Sequence, residues 1–563
     1  MVDVIVADTY ATMKGLSPTA GNAVFVTDKL KGGHFLCKAG TKPTDPKEGI
    51  YVSSNTSGYY YERERESDYG RPEWFGALQN DSTPATLSQT RDAIHACIAM
   101  VQTTLLNAVD YYVDDKITFD RSGSVLEGIA GSGRDRGLGV PTNGIGTAGG
   151  TRIILTGANV VSAPVFQFGK ATPSAQDDSN LTRNSYVRNI VFARLCTASL
   201  RPNPSPNSDP VNCVKGVIMS GMNRCGIENC SSFDSPVGFH YFGVVASYSR
   251  DCDAARTTPA SSSTNDFFVG HLAGGYQIYY GYIASNASLY LEHPTCYDDA
   301  VYNPATGAFG PSLFSLSLGI RLFGYVADTF VDGAEVGRVQ IGIEVDGRDS
   351  SGVTVPLSSG PGAHQDVRLT SCVIDGTKIT GLQLRNLNAS GQISVDDIYI
   401  AAGAANGYGA NVFSVDHGAS IDFSSGRMLG TVGTGFNITN TSNVSIRGTY
   451  LRDYSSPVVL NGAITGIIEP RIFNSRQDSA TAIVATACHR MSYRPQIDGA
   501  DNVFAYGISM VDTSYCNGVD GSSINPGCFN VVDAARKVIY GGGDARSSSA
   551  FSATANVLIG ATS

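Results

Sequence analysis

Acidic side chains gather at three places in this chain where two or more could act together on one reacting group. The first is a pair of matching segments, LGIRLFG and IGIEVDG, the second of which carries Glu344 and Asp346 two residues apart. On a strand such a pair shares one face at roughly 7 Å. Arg321 and Phe323, at the matching positions of the earlier segment, are expected beside them. The second place is VADTFVDGAEVGR, with Asp328, Asp332 and Glu335; the third is LYLEHPTCYDDAVY, with Glu292, His293, Asp298 and Asp299. Paired carboxyls suit general acid–base or nucleophilic chemistry, one giving a proton while the other takes one or attacks. Each set also has a plainer reading. Arg321 and Glu344 could form an exposed ladder worth about 0–1 kcal/mol. Asp332-Gly333 could be a turn. His293 precedes a proline, so it sits in an extended or turn conformation, and an exposed histidine there could simply be solvated. His240, inside a repeat, reads as structural. Tyrosines crowd 276–302, with Tyr276, Tyr279, Tyr280, Tyr282, Tyr290, Tyr297 and Tyr302. Their rings could stack on ligand rings and their hydroxyls bond to ligand hydroxyls, or they could pack between repeats.

The elements that must hold these groups show an internal period. Phe436 and Val458 are 22 residues apart, as are Ile446 and Ile468, and Met428, Tyr450 and Ile472 in succession. Lys215-Gly216-Val217-Ile218-Met219 matches Val237-Gly238-Phe239-His240-Tyr241 at the same spacing, and the two acid-bearing segments match after 23. Short apolar runs at such a period, broken by Gly, Asn, Ser and Asp, signal a coil stacking on itself. One turn cannot bury its inward side chains; many stacked turns can. Alternation then points Ile320, Leu322, Ile343 and Val345 inward, and Arg321, Phe323, Glu344 and Asp346 outward. The expected fold is all-β: a right-handed single-stranded parallel β-helix with a short N-terminal head and a C-terminal β element.

Composition agrees. Of 563 residues 64 are Gly, 16% are charged and 42% hydrophobic, which excludes a disordered chain. The net charge of −10 argues against a nucleic-acid partner. No apolar run approaches 18 residues, so no membrane span is expected, and MVDVIVADTYATMK lacks the pattern of a secretory signal. The 12 cysteines form no CxxC pair, and Cys225 with Cys230 finds no His or Cys set to complete a metal site. Buried free thiols are expected, and neither metal nor cofactor. GSGRDRG within 128–150 lacks the strand and helix of a phosphate loop. No GxSxG or HExxH occurs.

In chain order, 1–68 reads as a small β-rich head, with AVFVTDKL, HFLCKAG and GIYVSS as strands. Residues 69–108 form a neck. It opens with RPEWFGA, holding the only tryptophan, Trp74, as an aromatic plug. A helix follows, with Thr86 and Gln89 as a capping box and Ile94, Ile98, Val101 and Leu105 on one face. Such a helix covers the open first coil. The coils occupy 109–487, with an exposed loop at 201–210, and 488–563 loses the period.

RPEWFGA, a polar loop, a short helix and then β-helical coils resemble the start of the spike domain of bacteriophage tailspike proteins and capsule depolymerases. The loop departs from that family's usual pattern: LQNDSTPATLSQ stands where a Gly-Asp-Gly and Thr-Asp-Asp type loop is common. The resemblance implies a homotrimer held partly by the C-terminal element. It implies a virion-tail location after synthesis in the host cytoplasm, and a head that docks onto another tail protein. It also implies that a bacterial surface polysaccharide is recognised and cleaved at the cell surface. Endo-glycoside hydrolysis needs two carboxyls, about 5–5.5 Å apart for retention or about 6.5–9.5 Å for inversion. Glu344, Asp346, Asp332, Glu335 and Glu292 are the candidate catalytic residues. Asp299, His293, Tyr297, Arg321, Phe323, Tyr282 and Tyr290 are the candidate glycan contacts, which places the groove across 276–350. A β-eliminating lyase, a non-catalytic adhesin and a bacterial pectinase relative remain as alternatives.

Overall fold

The computed structural model describes the chain from residue 4 to residue 559 except for connecting stretches, the longest being 131–149, 171–180, 196–212, 257–265, 348–365 and 521–530. Most of the Gly-rich 128–150 loop and all of the 201–210 loop therefore lie outside the described residues, as does Asp299.

From Tyr69 onward the strands pair in parallel with strands one coil away, apart from two small antiparallel pairs, Ile278–Tyr279 with Tyr282–Ile283 and Tyr302–Asn303 with Ala308–Phe309, and the chain is a parallel β-helix. Each full coil contributes one strand to each of three sheets. Phe314–Phe323, Val326–Asp332 and Glu335–Gly337 make one such coil. Its three strands pair with Ile341–Asp346, Asp366–Thr370 and Val373–Thr377 of the next. The inward column of the first sheet shows why the stack holds. Ile320, Ile343, Leu382, Ala410, Phe436 and Val458 succeed one another in register, all buried. No single coil could remove them from water.

The expected pairs Phe436–Val458 and Ile446–Ile468 are register partners. Met428 is not matched by Tyr450, however, but by Leu451, which is followed by Ile472. The step from Met428 to Leu451 is 23 residues, as it is from Phe423 to Ile446, and an irregularity between Arg447 and Tyr450, containing left-handed Gly448, shortens the next step, Leu451 to Ile472, to 21. A slip of one residue swaps the two faces of a strand, so Tyr450 leaves the inward column.

A column of glycines also runs through the coils. A Cβ on Gly238 would lie 2.6 Å from the Gly270 carbonyl oxygen, one on Gly270 2.8 Å from that of Gly319, and one on Gly319 2.6 Å from that of Gly342. Gly381, Gly409 and Gly435 continue the series. At this point in each coil the wall has no room for a side chain.

The C-terminal β strands beyond 488 go on pairing in parallel with the coils before them. Phe504–Val511, Val531–Asp533 and Phe551–Ala553 pair in succession, as do Asn517–Asp520, Val538–Gly541 and Leu558–Ile559. The stack runs on although the spacing in sequence becomes irregular.

The head is a separate five-stranded sheet over Ile5–Arg63 with its own small core. The helix Leu87–Met100 packs Ile94, Ile98 and the following Val101 onto the start of the coil, with Trp74 and Phe75 in the same core. The capping box does not form: the Thr86 hydroxyl donates to the Thr83 carbonyl, and Gln89 donates to that of Gly76. Arg63 joins head to neck. Its guanidinium lies between the rings of Phe35 (4.5 Å) and Trp74 (4.1 Å) and donates to the carbonyls of Gly32, Gly49 and Lys31.

Candidate functional site

Glu344 and Asp346 stand on the side away from the coil core, as alternation requires, but they are not exposed: 1% and 0% of their surface is accessible. Arg321 lies 2.9 Å from Glu344 and 3.4 Å from Asp346, and Arg385 lies 2.8 and 3.0 Å from them. Asn386 donates a further bond to Asp346. Phe323 is buried too, in a second apolar cluster with Val269, Leu272, Leu318 and Ile341, apart from the main core. The expectation of an open acidic pair with Arg321 and Phe323 as glycan contacts is therefore corrected. These residues form a buried two-by-two ion network. Two guanidiniums saturate two carboxylates, which satisfies the rule that buried charges must be paired and leaves neither acid available to a ligand.

The other two sets come together on the outer wall of the second sheet. Tyr290–Glu292 and Phe330–Asp332 are matching positions one coil apart, with Tyr290 opposite Phe330 and Glu292 opposite Asp332. Neighbouring strands lie about 4.8 Å apart. Two columns result. The acidic one continues a ladder of alternating charge, Arg188, Glu228, Arg250, Glu292. Arg188 lies 2.9 Å from Glu228, and Arg250 lies 2.5 Å from Glu292. The alternation then stops: Glu292 is followed by another acid, Asp332, and Asp332 by Thr370. Among the described residues no group donates to the exposed Asp332 carboxylate.

The aromatic column behaves differently from a row of open platforms. Tyr290 and Phe330 stack at 4.8 Å and 6°, and Arg368 covers the far side of Phe330 at 5.2 Å. Phe330 thus has both faces filled. Tyr248, one coil earlier, lies over Gly226 and bonds to Glu228, and Tyr290 is exposed, so among the described residues its outer face is left open.

In eight successive coils the turn between the second and third sheets passes through one left-handed residue. In order these are Asn189, Asn229, Asp251, His293, Gly333, Ser371, Asp397 and Ser425, with φ between 48° and 63°. Small polar side chains and glycine tolerate this conformation; His293 is the large member. Its Nδ1 is 3.3 Å from a carboxylate oxygen of Asp251. Past the turn, the Tyr297 hydroxyl donates to Glu335, and its ring lies over Gly337.

The structure therefore brings together Glu292, His293, Asp332, Glu335, Tyr290 and Tyr297. Tyr282 is in a short strand apart from the stack, and nothing is described of its side chain. Arg250, Asp251, Phe330 and Arg368 were missed by sequence reasoning. Arg250 and Asp251 stand 42 positions before their partners Glu292 and His293, not 22, because connecting segments lengthen these coils. His240 and His271 are buried, as a structural role requires. Burial lowers His240 to about 3 and His271 to about 4. No group of residues suited to a metal ion occurs among the described residues, and no helix is long and apolar enough to cross a membrane.

No family model matches the chain, and no curated protein matches it. Among solved structures, a mutant tailspike protein of Escherichia coli bacteriophage HK620 in complex with a hexasaccharide is similar at 10% identity and TM-score 0.55, covering 88% of this chain and 83% of that one. The HK620 tailspike protein in complex with a pentasaccharide gives 11% identity and TM-score 0.54 over 88% and 83%. The tailspike protein gp49 of Acinetobacter baumannii bacteriophage Fri1, a capsular polysaccharide depolymerase, is matched at 11% identity over 98% of this chain and 76% of that one, with TM-score 0.38. At such identities the likeness is one of fold: this chain has the parallel β-helix of the HK620 tailspike.

Proposed function

We propose that the chain is a phage tailspike that binds a bacterial surface polysaccharide along the outer wall of its second sheet and cuts it by endo-glycoside hydrolysis. One observation carries the reading. Asp332 is an exposed carboxylate with no cation beside it among the described residues, flanked by Glu292 one coil before and Glu335 three residues on. A charge ladder serving stability alone would place a base there, as it does beside Glu228 and Glu292. Asp332 attacks the anomeric carbon, and the flanking carboxyl of Glu335 protonates the departing glycosidic oxygen. Tyr290 offers its open face to a sugar ring. The tailspike fold and the oligosaccharides bound by the HK620 protein support a glycan ligand here.

The same reading includes a homotrimer, attachment of the head to another tail protein, and action at the host surface. A lyase would release unsaturated sugars absorbing near 235 nm, and an adhesin would release none. The test is digestion of purified capsules and O-antigens, with mass spectrometry of the products. Saturated oligosaccharides from the native protein and none from Asp332→Asn are expected. Full activity in that variant refutes the assignment.

A further inference from the structure

His293 is out of keeping with its place. Seven other coils put Asn, Asp, Gly or Ser at the left-handed turn, where a large side chain is strained and persists only when its surroundings impose it. Here three coils do so. Asp251, one coil before, sits 3.3 Å from Nδ1. Gly333, one coil after, gives the ring its seat: a Cβ there would lie 2.3 Å from His293 Cδ2. Within its own coil Pro294 is buried, and the His293 backbone N–H reaches to the next coil, donating to the Asp332 carbonyl at 2.7 Å. The imidazole is thereby seated over Gly333, the residue that follows Asp332, with Nδ1 engaged by the Asp251 carboxylate, which directs Nε2 to act as the acceptor.

We infer that His293 is a further catalytic residue, the base that activates water, with Asp251 as its positioning residue; this rests on the reading of Asp332 as nucleophile. In the step concerned the water oxygen bonds to the anomeric carbon. The bond from that carbon to the Asp332 carboxylate breaks, its electron pair returning to Asp332. One water proton passes to Nε2 and returns through solvent to the carboxylate that protonated the leaving oxygen, restoring the acid. Arg250, Glu292, Asp253, Glu335 and Tyr297 are the other polar groups around this point, and none of them bonds to the ring in this arrangement.

The experiment uses the full chain and a polysaccharide that it cuts. Asn already fills the same turn in two coils, so His293→Asn preserves the backbone. Turnover about 10²-fold slower is expected, with a burst of the first product and a covalent glycosyl adduct on Asp332 detectable by mass spectrometry. In His293→Ala, added imidazole is expected to restore part of the rate. Asp251→Asn is expected to lower kcat with KM unchanged. Native turnover in His293→Asn, or slow turnover with no adduct, overturns the inference alone. If the native protein cuts no polysaccharide, the reading of the site falls and takes this inference with it.

Discussion

Glu292 and Asp332 are register partners in adjacent coils, yet only Glu292 is held by a guanidinium, that of Arg250. The charge ladder that stabilises the wall ends on an acid that it leaves unneutralised. Replacing Arg250 by Met should therefore disturb Glu292 far more than Asp332. A reduced rate with measurable residual turnover is expected for Arg250→Met, against a loss of about 10²–10⁴-fold for Asp332→Asn, both read from oligosaccharide release.

Tyr290 has one open face, whereas Phe330 lies between Tyr290 and Arg368. Tyr290→Ala should weaken glycan binding directly, raising KM with little change in kcat. Phe330→Leu should act only by letting Tyr290 and Arg368 move, a smaller effect. Equal effects in binding titrations would show that the column is read by its edges.

Glu344 belongs to the buried ion network and not to the open wall. Glu344→Gln leaves two guanidiniums with one carboxylate. Breaking a buried pair costs about 3–5 kcal/mol. A lower melting temperature is expected, with turnover per folded molecule unchanged.

Gly319 has no room for a methyl group: its Cβ would lie 2.2 Å from a Val336 γ-carbon and 2.6 Å from the Gly342 carbonyl oxygen. Gly319→Ala should destabilise by about 1–3 kcal/mol. Gly15→Ala, whose nearest contacts would be 3.6 Å away, should change little. Thermal denaturation of the two variants makes the comparison.

His271 is buried beside Phe239 and Tyr241, and its ordinary value of 6.5 falls to about 4. Unfolding lets it take up a proton at any pH between these values, so stability is full above 6.5 and is lost as the pH falls toward 4. His240 acts in the same direction. His271→Gln should flatten the dependence of melting temperature on pH in that window.

The fold was legible because apolar residues must recur once per coil, and Phe436–Val458 or Ile320–Ile343 kept that spacing. The site was only partly legible. Alternation says on which side of a strand Glu344 lies, not whether other chain covers that side, so an apparently open pair proved buried. Lengthened coils hid Arg250 and Asp251 from their partners at 42 positions, and a step of 23 residues instead of 22 put Leu451, not Tyr450, opposite Met428. Asp332, Glu335, Glu292 and His293 were visible as residue types; that Asp332 alone lacks a partner required the neighbouring coils.

The joint at Arg63 has a practical side. Trp74 is the chain's single tryptophan, and the guanidinium resting on it comes from the head. Intrinsic indole emission from this protein therefore originates entirely at the seam. Any load, partner or substitution that pries the two parts asunder will announce itself as a colour or intensity change, with no label added.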